Sequence, residues 1–247
     1  MRSYLHACIA LLLCLMLVAA TKSERYVKDN VFYSSSPKLE VTVDSKFKYL
    51  GRLEYTIEQP SGDRLQMVTY DTKSFVFVDS LNFQMKKALY IQIRREQTKY
   101  AINLLGDIKL NIRSGLCDLG EREYQCYTRV IALTVEEPIA KYIYDNGYTL
   151  PECVLSRTYA RLDTTSGNNL IVISYNEDLS ASGFDCQTWQ DKDRLTDEHE
   201  QYIAQFDQNR KAAFNMLKKD FMEKRRSKAY QGGESMMEKQ VPSREIH

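Results

Sequence analysis

The sequence predicts an α+β protein, in which an antiparallel β-rich domain, folded as a curved sheet or a sandwich, precedes a long C-terminal amphipathic α-helix. Between about residues 38 and 175, short segments alternate apolar and polar residues with a period of two, and turn-forming clusters separate them. From residue 184 to 231 there is no glycine or proline, and apolar residues recur at helical spacing. These two patterns define the two halves of the predicted fold.

The first twenty residues predict a secretory signal peptide. Arg2 precedes an apolar run from Ala7 to Ala20, and polar residues follow from Thr21. The run is shorter than the roughly 20 residues that a membrane-spanning helix needs. We therefore expect cleavage after Ala20 and export of residues 21–247 to a periplasm or a cell surface, or secretion if the source is eukaryotic. Lys plus Arg total 34 against 33 for Asp plus Glu, so no nucleic-acid partner is expected.

The cysteines predict two disulfides. Two of the six leave with the signal peptide, and the mature chain keeps Cys117, Cys126, Cys153 and Cys186. An even number in an exported protein indicates disulfide bonds. We predict that Cys117 pairs with Cys126, since the two bracket a turn-like stretch, and that Cys153 pairs with Cys186. A zinc site is not expected, because no Cys-x-x-Cys pair is present.

The clearest strand pattern runs from residue 46 to 58. One side carries Phe47, Tyr49, Gly51, Leu53, Tyr55 and Ile57, polar residues lie between them, and Leu50 is the exception. Further strands are predicted at 75–78, 89–93, 108–112, 124–134 and 169–175, with a short helix at 137–145. Residues 75–78 are apolar on both faces, as in a strand buried on both sides. Because long helical crossovers are missing, the sheet is expected to be antiparallel.

The C-terminal region is predicted to be a long helix followed by a tail. We divide the chain into a signal peptide (1–20), a β-rich domain (21–183), the helix (184–230) and a flexible tail (231–247). Acidic residues near its start and bases at 224–228 suit the helix dipole. A helix of this length should extend beyond the β-rich domain, bend or break, and if it extends, its apolar stripe would need a partner. The interaction residues predicted on it are Tyr202, Phe206, Phe214, Leu217 and Phe221.

Histidine limits the catalytic chemistry that the chain can carry. His6 lies in the signal peptide and His247 is the last residue, which leaves His199. A zinc-protease helix needs a second histidine four residues on, where Ile203 stands, and no nucleophile elbow or phosphate-binding glycine motif occurs. We expect His199 to be an exposed or half-packed helix residue and Trp189 to pack on the Cys153–Cys186 disulfide. The sequence assigns no catalytic, cofactor-binding or metal-binding residue and no cofactor.

The preferred interpretation is a non-enzymatic exported protein that binds a partner or the cell envelope, with the C-terminal helix as the interaction element. The partner would be another protein or a second copy. The basic residues at 224–228 leave contact with a membrane surface open, without a spanning segment after cleavage. One alternative is an extracytoplasmic hydrolase that uses acidic residues, since paired carboxylates have no fixed spacing in sequence. The predicted fold is also similar to helix-grip lipid-binding folds, which implies a lipid or small-ligand binder.

Overall fold

The computed structural model describes residues 24–60, 67–96, 111–163, 169–190 and 195–216. The predicted signal peptide and tail lie outside these ranges, as do Leu217, Phe221 and the bases at 224–228. The predicted strand at 108–112 lies mostly outside them as well, and its last two residues precede a strand that begins at Arg113.

The described ranges form two antiparallel sheets. The four-stranded sheet has the order β1-β2-β3-β11, with β1 (Arg25–Lys28), β2 (Val31–Ser35), β3 (Lys38–Val43) and β11 (Phe214–Met216). The seven-stranded sheet has the order β4-β5-β6-β10-β9-β8-β7, with β4 (Lys48–Pro60), β5 (Met67–Leu81), β6 (Gln84–Glu96), β7 (Arg113–Leu119), β8 (Arg122–Ala132), β9 (Cys153–Asp163) and β10 (Asn169–Asp178). The helices are α1 (Pro138–Asp145) and α2 (Asp197–Ala213), with 3₁₀ turns at Leu179–Ser182 and Thr188–Gln190. The predicted antiparallel sheet and the short helix at 137–145 are confirmed.

The predicted long C-terminal helix is wrong. Gly183 has φ 78°, and a 3₁₀ turn follows where the helix was expected to begin. α2 starts only at Asp197 and ends at Ala213, after which Phe214 takes an extended conformation with φ −156° and ψ 156°. Phe214 and Met216 bury their side chains while Asn215 is exposed, and this alternation lets the segment pair with β3. The fold is therefore mostly antiparallel β with two short helices.

The main core lies between the two sheets. The four-stranded sheet and α2 pack on one face of the seven-stranded sheet, which we call the inner face. Residues with no exposed surface come from all three parts and include Phe32, Val41, Phe77, Ile91, Ile173, Ile203 and Phe206. Rings meet across the layers, with centroids 4.6 Å apart for Phe32 and Phe75 and 5.3 Å apart for Tyr175 and Phe206. α2 and β11 are thus part of the core and do not extend from it.

The opposite, outer face of the seven-stranded sheet is covered at one end by α1. Ile143 of α1 is fully buried in a cluster with Val76 and Ala88 of the sheet. Since Phe75 and Phe77 belong to the inner cluster, the predicted burial of 75–78 on both faces is confirmed. The alternation of apolar and polar residues gives way to continuous burial where both faces are covered.

A β-bulge at Leu50 explains the exception in the pattern of residues 46–58. Tyr49 lies opposite Phe77, but Gly51 lies opposite Val76, so Leu50 is an extra residue in β4. Beyond the bulge, side chains at odd-numbered positions lie on the opposite face of the sheet. Tyr49 packs at the inner face with its ring centroid 5.0 Å from that of Phe77. Ile57 instead packs against a second outer-face cluster, which contains Val68 and Val172. The predicted single apolar side is therefore divided between the two faces of the sheet.

Both disulfides join the cysteines that the sequence paired. Cys117–Cys126 links β7 to β8, and Cys153–Cys186 links β9 to the segment before α2, each with a Cα–Cα distance of 6.1 Å. In the β7–β8 register Cys117 lies opposite Tyr124, so the first disulfide is a diagonal link between neighbouring strands. The second disulfide ties the segment before α2 to the seven-stranded sheet.

His199 is buried, and the expectation of an exposed or half-packed residue is wrong. Its side chain is 1% exposed, with its ring centroid 3.9 Å from that of Phe184 and 4.6 Å from that of Trp189. Nδ1 accepts a hydrogen bond from the backbone N–H of Thr196 at 3.1 Å, which caps the start of α2. Trp189 is fully buried in the same apolar cluster as Cys153, with Cys186 packed against that cluster.

Candidate functional site

The β5–β6 hairpin ends in two exposed apolar side chains. Leu81 is 63% exposed and Phe83 is 69% exposed, and we call these two residues the apolar tip. Leu81 pairs with Gln84, so Asn82 and Phe83 form a two-residue turn with φ 51° and φ 62°. A type I′ turn requires this left-handed conformation at both positions, and it suits glycine or asparagine. A bulky residue there is unfavourable, and such strain concentrates at functional sites.

The segment that follows α1 holds the apolar tip in place. The N–H of Thr149 donates to the carbonyl of Phe83 at 2.9 Å, and the N–H of Met85 donates to the carbonyl of Thr149 at 3.0 Å. The ring of Phe83 lies 6.1 Å from the ring of Tyr148, which is buried. Tyr144, at the end of α1 from which this segment leaves, is 58% exposed. The tip is thus a supported surface feature with a further exposed aromatic residue on the adjoining helix.

The lysines near the apolar tip have acidic partners or neighbours. Lys86 Nζ lies 2.8 Å from Asp178 Oδ2, and Lys141 Nζ lies 3.0 Å from Asp145 Oδ2. Lys87 lies opposite Glu177 in the β6–β10 register. Burial alone would raise the pKa of Asp178, but hydrogen bonds from Lys86 and from the N–H of Ser180 outweigh it and hold that pKa below its usual value. The surroundings of the tip therefore carry little net charge.

A small cavity lies beside the turn of the hairpin. Its volume is about 120 Å³, and Lys86, Asp178, Thr149 and Leu150 are among the residues that line it. Drug-sized ligands occupy pockets of about 300–1,000 Å³. This cavity has room for a few water molecules, so it gives no support to the lipid or small-ligand alternative.

A polar network crosses the outer face of the sheet beyond α1. Arg94 donates to Gln92 Oε1 through Nε and Nη2 at 3.0 and 2.7 Å. Gln92 Nε2 and Ser74 Oγ each donate to the hydroxyl of Tyr55 at 3.2 Å. Burial lowers the pKa of Arg94 and raises the pKa of Tyr55. These side chains hydrogen-bond to one another across β4, β5 and β6, which fits a structural role.

Carboxylates come together on α2 as partners of arginines. Glu200 forms an ion pair with Arg113, whose other terminal nitrogen lies 4.0 Å from Asp207. Asp207 also binds Arg157 at 3.0 Å. Among the described carboxyl groups, Glu137 has a raised pKa, because burial outweighs the opposing effect of Arg129. Arg113 and Arg157 belong to the seven-stranded sheet, so the carboxylates of α2 bridge helix and sheet and do not form a free acid pair.

The residues predicted for interaction have other contacts where the structure describes them. Phe206 is fully buried and Phe214 is 4% exposed, and both belong to the inner-face core. Tyr202 is half-buried, and its hydroxyl donates to the carbonyl of Asp178 at 3.2 Å. Burial raises the pKa of Tyr202, with smaller effects from Glu177 and Asp178. These three side chains hold α2 and β11 against the sheet.

Sequence reasoning did not identify the apolar tip. The local signal was Asn82, a turn-forming residue between two alternating apolar segments, and it predicts a hairpin. The exposure of Leu81 and Phe83 depends on where α1 and its following segment lie, which residues 79–84 do not encode. The predicted cysteine sites, by contrast, are brought together in the expected pairs.

The described residues contain no group of metal ligands and no membrane-spanning helix, and the comparisons with known proteins identify no relative. In the part of the chain that the structure describes, no three His, Cys, Asp or Glu side chains are grouped as metal ligands would be. Within the same ranges, each helix is too short or too polar to cross a membrane. Comparison with protein-family models, with curated proteins and with solved structures gave no match.

Proposed function

We propose that this protein is an extracytoplasmic binding protein that docks on a partner protein through the apolar tip of the β5–β6 hairpin. The observation that carries the proposal is the exposure of Leu81 and Phe83 in a turn whose backbone disfavours phenylalanine. Glycine would adopt the same turn without backbone strain. The phenyl ring at residue 83 is therefore not needed for the turn, and we assign it to binding. Aromatic anchors that enter a pocket are typical binding hot spots.

The surroundings of the tip favour a protein partner over an anionic membrane. Each described lysine near the tip has an acidic neighbour, as Lys86 has Asp178 and Lys141 has Asp145. Attraction to anionic lipid headgroups depends on unbalanced Lys and Arg charge. An apolar tip surrounded by balanced charges is suited to an apolar pocket on another protein.

The disulfides support the extracytoplasmic part of the proposal. The two disulfides fit an oxidising compartment, because cytosolic thiols are kept reduced. The predicted signal peptide would deliver the chain there. The proposed site of action is a periplasm, a cell surface or the extracellular space.

The test replaces Phe83 with photoreactive p-benzoylphenylalanine in the producing cells. A cross-linked protein, identified by mass spectrometry, is then purified and titrated with the wild-type protein by calorimetry. We expect Leu81→Thr together with Phe83→Gly to weaken binding at least about 30-fold, since glycine keeps the turn. Val135→Thr is the control, because Val135 is 49% exposed outside the hairpin.

Two results would overturn the proposal. One is equal affinity of the identified partner for the wild-type protein and the tip variant. The other is flotation of the purified protein with phosphatidylcholine or phosphatidylserine vesicles that is lost in the tip variant, since this would make the tip a membrane contact. On denaturation the tip variant should be at least as stable as the wild type, which shows that any loss of binding is local.

A further inference from the structure

β7 ends the seven-stranded sheet without the features that protect the sheet's other edge. β4, at the opposite edge, contains the Leu50 bulge and exposes Arg52, Glu54 and Glu58. In β7, residues 113–116 are exposed, and the centre of the strand, Ser114 to Leu116, carries no charge. Within the described ranges, no strand pairs with the outer side of β7. The charged residues of β7, Arg113 and Asp118, lie on either side of this uncharged centre. An open strand edge with an uncharged centre and no bulge or proline is a template for pairing with another chain.

Contacts with the rest of the fold hold β7 as a rigid edge. The Cys117–Cys126 disulfide ties it diagonally to β8. Arg113, at its start, pairs with Glu200 of α2. The turn after β7 lies against β11, because a Cβ at Gly120 would collide with the side chain of Met216. A strand that is already ordered loses little conformational freedom on pairing, which favours association.

The sequence of β7 is complementary to itself in antiparallel register. If two copies pair about Leu116, this residue lies opposite its own counterpart, and Ser114 lies opposite Asp118 of the second copy. The two leucines, each 65% exposed in the single chain, would cover one another. The Ser114 hydroxyl can donate to the Asp118 carboxylate, and two-fold symmetry repeats this contact. Gly115 leaves open space beside the strand, since a Cβ there would meet no atom within 4 Å.

We propose that β7 pairs with β7 of a second copy, so that two seven-stranded sheets join into one continuous sheet across a two-fold axis at Leu116. The self-complementary register is the reason to choose a second copy over an unrelated extended peptide. Because seven residues make a small interface, the dimer is expected to dissociate with a constant in the micromolar range or above. This contact is separate from the apolar tip on the β5–β6 hairpin.

The first test measures molar mass by sedimentation equilibrium from about 1 to about 500 µM, a range chosen for micromolar affinity. We expect a reversible monomer–dimer equilibrium for the wild-type protein. Leu116→Lys places two like charges at the two-fold axis and should raise the dissociation constant at least about tenfold. Val135→Lys adds the same charge at another exposed apolar site and should leave the equilibrium unchanged.

The second test checks the register. Leu116→Cys places two thiols opposite each other across the axis, so mild oxidation should give a covalent dimer, whereas Val135→Cys should not. A wild-type monomer at every concentration overturns the proposal, as does an equal equilibrium for Leu116→Lys. Open-ended oligomers would contradict two-fold closure and indicate pairing with other edges. The Leu81→Thr and Phe83→Gly variant should dimerise normally, so failure of the proposed function and failure of this inference remain distinguishable.

Discussion

The hydroxyl of Tyr142 lies so close to Gly51 that a Cβ on this residue would collide with it, and it donates a hydrogen bond to the carbonyl of Leu50 at 3.2 Å. Gly51 has φ 141°, a conformation that L side chains rarely adopt. α1 therefore docks on the β4 bulge through a close approach that requires glycine. This contact fixes the helix from which the chain continues into the segment that supports the apolar tip.

Gly51→Ala should lower the free energy of unfolding by about 2–4 kcal/mol, because it adds both a collision and backbone strain. Chemical denaturation measures the loss. The control Gly115→Ala should change stability little, since its Cβ would meet nothing within 4 Å. In a Tyr142→Phe background the cost should fall, because the nearest remaining ring atom lies 3.6 Å from the added Cβ. An equal cost in both backgrounds would contradict the collision.

Removing the Cys153–Cys186 disulfide should destabilise the protein more than removing Cys117–Cys126. Cys153 and Cys186 are 33 residues apart in sequence, whereas Cys117 and Cys126 are 9 residues apart. Loop-closure entropy then gives losses of about 3.7 and about 2.6 kcal/mol. The double serine variants can be compared by denaturation in urea. A larger loss for Cys117→Ser with Cys126→Ser would show that loop entropy does not determine the order.

His199→Ala should cost about 2–4 kcal/mol, because it removes the cap on Thr196 and leaves a cavity beside Trp189. His199→Phe keeps an aromatic ring in the stack with Phe184 and should cost only about 1 kcal/mol for the lost cap. Fluorescence of Trp189, the single tryptophan, reports the change directly. Equal losses for the two variants would mean that ring packing contributes nothing.

Asp178→Asn should lower stability at pH 7 by about 1–2 kcal/mol, since it removes a charged partner from Lys86. The pKa of Asp178 in the folded protein lies below its ordinary value of 3.8. The ionised group therefore stabilises the protein above about pH 4, and this contribution is lost as the pH falls through the folded-state pKa.

The difference between the wild-type protein and Asp178→Asn should accordingly shrink below pH 4, measured by denaturation at a series of pH values. Asp145→Asn is the matched control, because its ion pair with Lys141 is exposed. It should change stability by less than about 0.5 kcal/mol. A loss for Asp178→Asn that is as large at pH 3 as at pH 7 would rule out the charge as the cause.

The alternation of apolar and polar residues predicted the strands of the seven-stranded sheet. Alternate side chains of a strand lie on opposite faces, so each covered face requires an apolar residue at every second position. The bulge at Leu50 was not predictable in the same way. Alternation is intact on each side of it, and the change of face becomes visible only when Tyr49 and Gly51 are matched to β5. The β1–β2 hairpin was also missed, although Asp29 and Asn30 form its left-handed turn and are typical turn residues.

The end of α2 could not be predicted from local sequence. Phe206, Ala213 and Phe214 fit a helical period, which led to the longer helix. What selects the strand conformation at Phe214 is the open edge of β3, about 170 residues earlier in the chain. The exposure of the apolar tip and of β7 depends in the same manner on distant parts of the fold. Local sequence patterns therefore predicted that a helix is present, whereas pairing with the distant strand β3 determines where α2 ends and β11 begins.

Pairing of β11 with β3 also sets the order in which the fold can be completed. The first described strands and the last one share a sheet, so a chain synthesised from its N-terminus keeps the edge of β3 unpaired until residue 216 has left the ribosome. Val41 and Val43 on that edge are buried only in the finished structure. The four-stranded sheet is therefore completed only after the last described strand has been synthesised, although its other three strands come first in the chain.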